Sequence, residues 1–341
     1  LYKPDYVFHG DDWKSGPLSQ TRRQVIKVLK KWKGKLIEPK YTKNISSQKI
    51  KDEMNKIGTT PDIRRAKLKR LIDAKEIVRV LECHNPIAGL IVENLNYNKH
   101  EKWTEFDVMW SSSLTDSVSR GMPDNQSVDY STRISGVNEI FNVTTKPLIF
   151  DIDNGGQIEH LKFIVKKLES SGVSAIIMED KIGLKKNSLF SDQSNVRQES
   201  IAKFSQKIKV AKNASITEDF LVIARIESLI LGKSINDALK RAIEYSKAGS
   251  DLIMIHSKEN NPKKIFEFSQ KFLKTKYAKP LVAVPSTYSK TPEKDLIKNG
   301  FKIVIYANHL LRSSYFAMYQ NAEKILRSKR SFEAEKQMTS I

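Results

Sequence analysis

Residues 147–181 read PLIFDIDNGGQIEHLKFIVKKLESSGVSAIIMEDK. Two apolar runs, Pro147–Ile152 and Ala175–Glu179, have the length and β-branched content of strands buried on both faces, as in a parallel sheet. Between them Ile158, Leu161, Ile164, Val165 and Leu168 recur at helical spacing and form one apolar stripe. Gly172 follows as a helix stop. The stretch is one strand–helix–strand unit, and charged residues appear where each apolar run ends.

Outward in both directions the unit repeats. Val78–Cys83, Phe106–Ser111, Leu221–Ile226, Leu252–Ile255, Leu281–Val284 and Ile303–Tyr306 are further strand-like runs, and Ile235 to Tyr245 is another amphipathic stretch. Gly249 and Gly300 stop helices before the next run. Eight strand-then-helix units in about 260 residues is the count for a closed (β/α)8 TIM barrel, here over residues ~65–330. A doubly wound open sheet is the alternative. The rest of the 341-residue chain lies mostly before the barrel. Residues 1–50 read strand (Tyr6–Phe8), loop, helix (Ser19 to Trp32), strand (from Leu36-Ile37). Residues 51–64, KDEMNKIGTTPDIR, are polar with Gly58 and Pro61 and read as a linker, which leaves 65–341 for the barrel domain.

Composition narrows the function. Cys83 is the only cysteine, so an intramolecular disulfide and a thiolate zinc site are excluded, and a reducing, cytoplasmic setting is expected. No run approaches the ~18 apolar residues of a membrane span, and no signal peptide opens the chain. The chain starts at Leu1 and in mid-element, and reads as a fragment. The net charge of +20 raises nucleic-acid binding. The lysines are spread over the whole chain with no basic stripe interleaved with aromatics, so a solvated lysine-rich surface is the favoured reading. Such a field attracts anionic substrates.

In barrels the catalytic groups sit at the C-terminal ends of the strands. Those ends read Glu82-Cys83-His84-Asn85, Ser111-Ser112-Ser113, Asp151-Ile152-Asp153, Glu179-Asp180-Lys181, Arg225-Ile226-Glu227, His256-Ser257-Lys258, Pro285-Ser286-Thr287 and Asn308-His309. Asp151, Asp153 and Glu179 come from adjacent strands. Three carboxylates in one mouth repel unless a cation sits among them, and an all-oxygen set suits Mg²⁺ or Mn²⁺ rather than zinc. The competing reading makes Asp153 an N-cap of the next helix. Arg225 ends an apolar run, and a buried guanidinium needs an anionic partner, which is substrate or Glu227. His256 also ends an apolar run, either as a satisfied core imidazole or as a functional one. The run Asn154-Gly155-Gly156 lacks the glycine spacing of a nucleotide fingerprint.

At 179–188 the chain reads EDKIGLKKNS. This resembles the signature of the phosphoenolpyruvate mutases, Glu-Asp-Lys, five residues, Asn-Ser, within the isocitrate lyase and phosphoenolpyruvate mutase superfamily. LECHNPIAGLIVE at 81–93, MWSSSL at 109–114, GMPDNQ at 121–126, DIDNGG at 151–156, VIARIES at 222–228, IMIHSKE at 253–259 and YANHLLR at 306–312 occur in that family's order. The superfamily's lyases carry Lys-Arg-Cys-Gly-His after the fourth strand; here Lys185, Lys186, Asn187, Ser188 and Leu189 stand there, without the thiol or imidazole. The resemblance implies a Mg²⁺-dependent barrel that interconverts phosphoenolpyruvate and 3-phosphonopyruvate, for phosphonate biosynthesis. It implies Asp124 as the residue that accepts phosphorus, and Asp151, Asp153 and Glu179 as metal carboxylates. Arg225, His256, Ser112 and the backbone of Ser113 and Leu114 would bind substrate, and Lys185, Asn187 and Ser188 would lie on a gate. Ser113 departs from the glycine, and PDNQ from the Arg-Asp-Ser-Asn-Glu, of some members.

The resemblance also implies a homodimer or homotetramer that exchanges a C-terminal helix, and a downstream phosphonopyruvate decarboxylase that draws off the unfavourable product. Phosphonopyruvate hydrolysis on the same barrel is the alternative activity. YKPDYVFHGDDW and YTKNISSQKI resemble the C-terminal part of a cytidylyltransferase-like nucleotidyltransferase, a partial Rossmann-type α/β remnant without its HxGH motif.

Overall fold

The computed structural model describes residues 3–16, 18–39, 59–99, 102–183, 185–188, 193, 195–335 and 337–339. The chain divides into two compact units, Leu1–Ile57 and Gly58–Ile341. In the first, β1 (Tyr6–Phe8) and β2 (Lys35–Ile37) pair in parallel, joined through α1 (Ser19–Leu29). The helix expected to run to Trp32 tightens into a 3-10 turn at Lys30–Trp32, because Lys33 turns left-handed at φ 63°. Glu38 accepts from Trp13 Nε1 at 2.8 Å and from Arg22 Nε at 2.7 Å, closing the loop onto the helix. The segment YTKNISSQKI and residues 51–58 of the linker reading lie outside the described residues.

The second unit opens with α2 (Pro61–Ala74), which begins inside the stretch read as linker. Thr60 caps it, accepting from Ile63 N at 3.4 Å, with Pro61 in the first turn. These start signals outweigh the polar composition. Arg64 and Arg65 are buried and donate to the Lys146 and Glu169 carbonyls at 2.8 and 2.7 Å, which ties α2 to the barrel.

Eight parallel strands then close into a barrel: β3 (Val78–Glu82), β6 (Val108–Ser111), β7 (Leu148–Asp151), β8 (Ala175–Glu179), β11 (Leu221–Ile226), β12 (Leu252–Ile255), β13 (Leu281–Ala283) and β14 (Phe301–Tyr306). The open-sheet alternative is thereby excluded, since β14 pairs with β3 and β8 with β11. Around it lie α3 (Pro86–Asn94), α4 (Ser113–Val118), α5 (Tyr130–Phe141), α6 (Ile158–Ser170), α7 (Ile201–Ala214), α8 (Ile235–Lys247), α9 (Lys263–Phe272), α10 (Glu293–Lys298), α11 (His309–Ser328) and α12 (Phe332–Glu335). Two antiparallel ribbons are added, β4 (Asn96–Lys99) with β5 (Lys102–Glu105), and β9 (Lys181–Ile182) with β10 (Arg197–Gln198).

Alternation along each strand separates two cores. Val78, Val80, Ile149, Ile177, Ile223 and Ile303 pack in one buried cluster. Leu81, Phe150, Ile176, Val222 and Val304 pack in the other, with helix residues such as Leu161, Val165 and Phe204. Among the described residues, no helix is long and apolar enough to cross a membrane.

Candidate active site

The strand ends meet at one mouth. After β6, Ser112 precedes α4, and Ser111 Oγ donates to Asp116 Oδ2 at 2.7 Å. Arg133 of α5 donates from Nε to the same oxygen at 2.8 Å and from NH1 to the Asp151 carbonyl at 2.7 Å, its guanidinium 4.2 Å above the Phe150 ring. This buried pair fixes the end of β7, where the metal-type aspartates sit.

The turn after β7 is tight. Gly155 has φ +76°, and a Cβ there would meet Met178 Sδ at 2.6 Å, so only glycine lets the turn lie against β8. Asp153 takes a left-handed φ of 53°, and its N–H donates to Asp151 Oδ1 at 3.0 Å. It does not cap α6, because that helix starts at Ile158 with Gln157 in the cap position. The left-handed residue instead turns its carboxylate into the mouth.

There the Lys185 ammonium stands among carboxylates: 3.2 Å from Asp124, 3.7 Å from Asp151, and paired with Asp153 and Ser113 Oγ. Burial alone would lower the Lys185 pKa, but Asp153, Asp151 and Asp124 outweigh it and raise it. Both Asp124 oxygens are buried with no further hydrogen bond. Burial pushes that carboxyl up against the pull of Lys185. Asp151 is also buried, yet Lys185, Arg225 and Arg133 hold its carboxyl below the usual range.

Opposite charges assemble at β8 and β11. Glu179 lies 3.4 Å from Lys181 and 3.4 Å from Arg225. Burial, helped by the neighbouring Glu227, still pushes its carboxyl up to about 7. Arg225 donates from Nε to Glu227 Oε1, and from NH2 to Ser188 Oγ at 2.8 Å and to His256 Nδ1 at 3.1 Å. Burial and Arg225 together lower the His256 pKa. Nδ1 also lies 3.4 Å from Glu227 Oε1, but the Arg225 donor is closer, so Nδ1 accepts and the neutral ring carries its proton on Nε2. The midpoint of the His256 ring titration is therefore expected below the ordinary 6.5 in an NMR titration; a midpoint above it would show that the ring is held charged.

Asp124, Asp151, Asp153, Glu179 and Glu227 face the cations Lys181, Lys185 and Arg225, so carboxyls outnumber cations by two among these buried groups. A divalent cation would hold all the carboxyls ionised, and hard carboxylate oxygens, including the buried Asp153 Oδ1 whose partner is the Lys185 ammonium, are the donors that Mg²⁺ takes. Among the described residues no three His, Cys, Asp or Glu side chains are gathered as a ligand cluster. The lysine ammonium stands among the aspartates instead. Since Mg²⁺ keeps several waters and needs only one or two carboxylates directly, the set fits it.

A cavity of about 50 Å³ remains, lined by Ser112, Leu114, Asp124, Asp151, Lys185, Asn187, Ser188, Arg225 and His256. That is room for a few waters. Ser113, Asp153 and Glu179 join through their ion pairs and hydrogen bonds, so every site residue expected from the sequence lies at this mouth. Leu189 lies outside the described residues. Trp110, Ser286 and Asn308 also line the cavity. Ser286 and Asn308 stand at strand ends that the sequence marks, whereas Trp110 and the Arg133–Asp116 pair carry only the weak signal of a polar or bulky group inside an apolar pattern. Glu82, another marked strand end, accepts from Leu310 N at 3.0 Å and Leu311 N at 3.3 Å and so caps α11.

Residues 68–326 match the family described as phosphoenolpyruvate phosphomutase. The phosphoenolpyruvate phosphomutase of Tetrahymena pyriformis is 34% identical over 278 residues, 80% of this chain and 87% of that protein. A crystal structure of the phosphoenolpyruvate phosphomutase from Streptomyces platensis subsp. rosaceus superposes with a TM-score of 0.74 at 33% identity, covering 81% of this chain and 92% of that one. A crystal structure of phosphonopyruvate hydrolase in complex with oxalate and Mg²⁺ gives 0.72 at 30% identity, covering 83% and 93%. With the matched span running from α2 into α11 and so enclosing the whole barrel and its mouth, the chain belongs to the phosphoenolpyruvate phosphomutase family.

Proposed function

We propose that this chain interconverts phosphoenolpyruvate and 3-phosphonopyruvate, with Asp124 carrying the phosphoryl group between oxygen and carbon. The observation that carries the reading is the Asp124 carboxylate, buried with no hydrogen bond beyond its lysine pair and placed beside the same ammonium as Asp151 and Asp153. A carboxylate oxygen of Asp124 attacks phosphorus, the enol O–P bond breaks, and the enolate of pyruvate leaves. The enolate carbon then attacks the aspartyl phosphorus, the new C–P bond forms, and Asp124 is released. Ser112, with the backbone of Ser113 and Leu114, holds the substrate carboxylate. Arg225 and the Nε2–H of neutral His256 supply further donors. Lys185, Asn187 and Ser188 close over the phosphoryl group. Asp151, Asp153 and Glu179 are the residues that would hold Mg²⁺, or Mn²⁺ in its place. When bound, the ion supplies positive charge that stabilises the negative charge developing on the substrate oxygens. The relative that was crystallised with Mg²⁺ supports that assignment.

The Lys185 ammonium stands against Asp124, Asp151 and Asp153 where the phosphoryl group has to approach, so Lys185 and its segment swing out for substrate to enter. What happens after closure separates the two activities of the relatives. If water is kept out, phosphorus goes to carbon; if it enters, the same aspartyl phosphate is hydrolysed. The near-equal likeness to a mutase and a hydrolase keeps the second reading in play. Phosphonopyruvate incubated with the protein and Mg²⁺, followed by ³¹P NMR, should yield phosphoenolpyruvate. Inorganic phosphate as the sole product would replace the mutase reading with the hydrolase one. Removing divalent ions with a chelator should abolish turnover, and added Mg²⁺ should restore it; turnover that survives chelation would defeat the metal assignment.

A second copy of the chain is the expected partner. None of the 20 residues of α11 is buried, and Tyr315, Phe316 and Met318 expose more than half their surface. They border a groove of about 960 Å³ with Ile87, Ile91 and Val118. An exchanged helix in a homodimer or homotetramer would cover it, and light scattering at the mass of one chain would refute this. A downstream decarboxylase, a cytoplasmic setting and a nucleotidyltransferase-like origin for residues 1–50 complete the reading.

A further inference from the structure

The gate segment leaves the barrel at Lys181 and returns at Gln198, where β9 and β10 pair (Lys181 with Gln198). Farther along the gate, Ser188 Oγ donates to Glu227 Oε2 at 2.7 Å and accepts from Lys181 Nζ at 2.7 Å and Arg225 NH2 at 2.8 Å. Lys181 Nζ also reaches the Lys186 carbonyl at 2.9 Å. The gate is thus latched onto groups that surround the substrate site.

Its neck is held by a different group. Asp180 is fully buried and does not line the cavity. Its Oδ1 accepts from the backbone N–H of Glu227 at 2.9 Å. Its Oδ2 accepts from Gln198 Nε2 at 2.8 Å, Tyr245 OH at 2.8 Å and Arg241 NH1 at 3.1 Å. Arg241 NH1 also donates to Tyr245 OH and to the Glu199 carbonyl, each at 2.8 Å, and Glu199 N donates to the Asp180 carbonyl at 2.8 Å. One carboxylate therefore joins the end of β11, the returning limb of the gate and α8. It accepts four hydrogen bonds, three on Oδ2 and one on Oδ1, so neither oxygen is buried without a partner. The side chain bonds no side chain of the site; its links to Arg225 and Glu227 run through their backbone, the Asp180 N–H donating to the Arg225 carbonyl at 3.1 Å.

We propose that Asp180, with Gln198, Arg241 and Tyr245, is the positioning anchor of the gate and sets how transferred phosphorus divides between the enolate and water. The inference rests on the mutase reading above. Starting from phosphonopyruvate, Asp124 takes phosphorus as the C–P bond breaks; in the enolate branch the enolate oxygen then forms the O–P bond of phosphoenolpyruvate as the Asp124 O–P bond breaks. In the water branch a water oxygen forms the P–O bond, the same Asp124 O–P bond breaks with its electron pair returning to the carboxylate, one proton of that water is released, and the enolate takes a proton at carbon. Phosphonopyruvate and water then become pyruvate and phosphate. A neck that loosens lets the latch at Ser188 open before the enolate has attacked.

Gln198→Leu and Tyr245→Phe each remove one donor to Asp180 and leave the cavity lining unchanged. With phosphonopyruvate and Mg²⁺, the ratio of inorganic phosphate to phosphoenolpyruvate should rise about tenfold in each variant, as expected for one hydrogen bond to a charged group. Circular dichroism and thermal unfolding establish that each variant is folded. A merely structural role would lower both product rates together and leave the ratio unchanged, and that result in both variants overturns the anchor while the mutase reading stands. A wild-type protein that forms no phosphoenolpyruvate overturns the mutase reading and the anchor with it.

Discussion

Asp124→Ala is expected to lower turnover of phosphonopyruvate by about ten-thousandfold, the scale of losing a nucleophile in enzymes that work through a covalent intermediate. The fold should hardly notice. Both oxygens of Asp124 are buried with no hydrogen bond beyond the Lys185 contact, and Lys185 keeps Asp151 and Asp153 as partners. Unfolding stability should therefore change by no more than the ~0.5–3 kcal/mol of an ordinary substitution. Asp124→Asn keeps the shape and removes the nucleophile, so it should be as inactive as the alanine variant. Steady-state turnover above one hundredth of the parent rate in either variant would move the nucleophile elsewhere.

Arg225→Ala should cost both activity and stability. Arg225 is the fork that pairs Glu227 and Glu179 and donates to Ser188 and His256. Without it the Glu227 carboxylate stays fully buried, with Lys181 at 3.6 Å as its remaining strong cation. Breaking a buried pair from one side costs about 3–5 kcal/mol. Its carboxyl, now held well below the usual range by Arg225 and Lys181 against burial, should move upward. Arg225→Lys restores the charge without the fork and should recover part of the stability but little of the turnover. Denaturant unfolding measures the first effect and the ³¹P assay the second; an Arg225→Ala protein as stable as its parent would show that the carboxylates do not depend on this guanidinium.

How far the sequence could be read depended on how local the signal was. The barrel strands announce themselves because a parallel strand is buried on both faces, so its apolar run stops where burial stops; Leu221–Ile226 and Leu252–Ile255 begin and end where the runs do. The β4–β5 ribbon carried no such mark. Its Tyr97 and Trp103 are largely exposed, and an exposed two-stranded hairpin has no core to write an alternating pattern. The start of α2 was masked by polarity, because its Arg64 and Arg65 enter the interior through hydrogen bonds to carbonyls rather than as apolar residues.

The site shows the same division. Asp151, Asp153, Glu179, Arg225 and His256 were legible because a barrel exposes its strand ends at one mouth, so position in the chain fixes position in the site. Asp124 and Lys185 sit on loops, and no periodicity foretells where a loop delivers its side chain; only the motifs marked them.

What the order of residues determined alone was the barrel, its eight strand ends and the oxygen-rich chemistry of the mouth, since these follow from short-range burial patterns and from which side chains end them. The fold in three dimensions decided the rest: that Lys185 stands among three aspartates, that Arg133 and Asp116 brace β7, and that Asp180 ties the β9–β10 ribbon to β11 and α8. These pairings join residues as much as 61 positions apart, as with Arg241 and Asp180. Charges that meet only after the strands close leave no trace in any local window, because their energy exists only once burial has stripped away the water that would otherwise screen them.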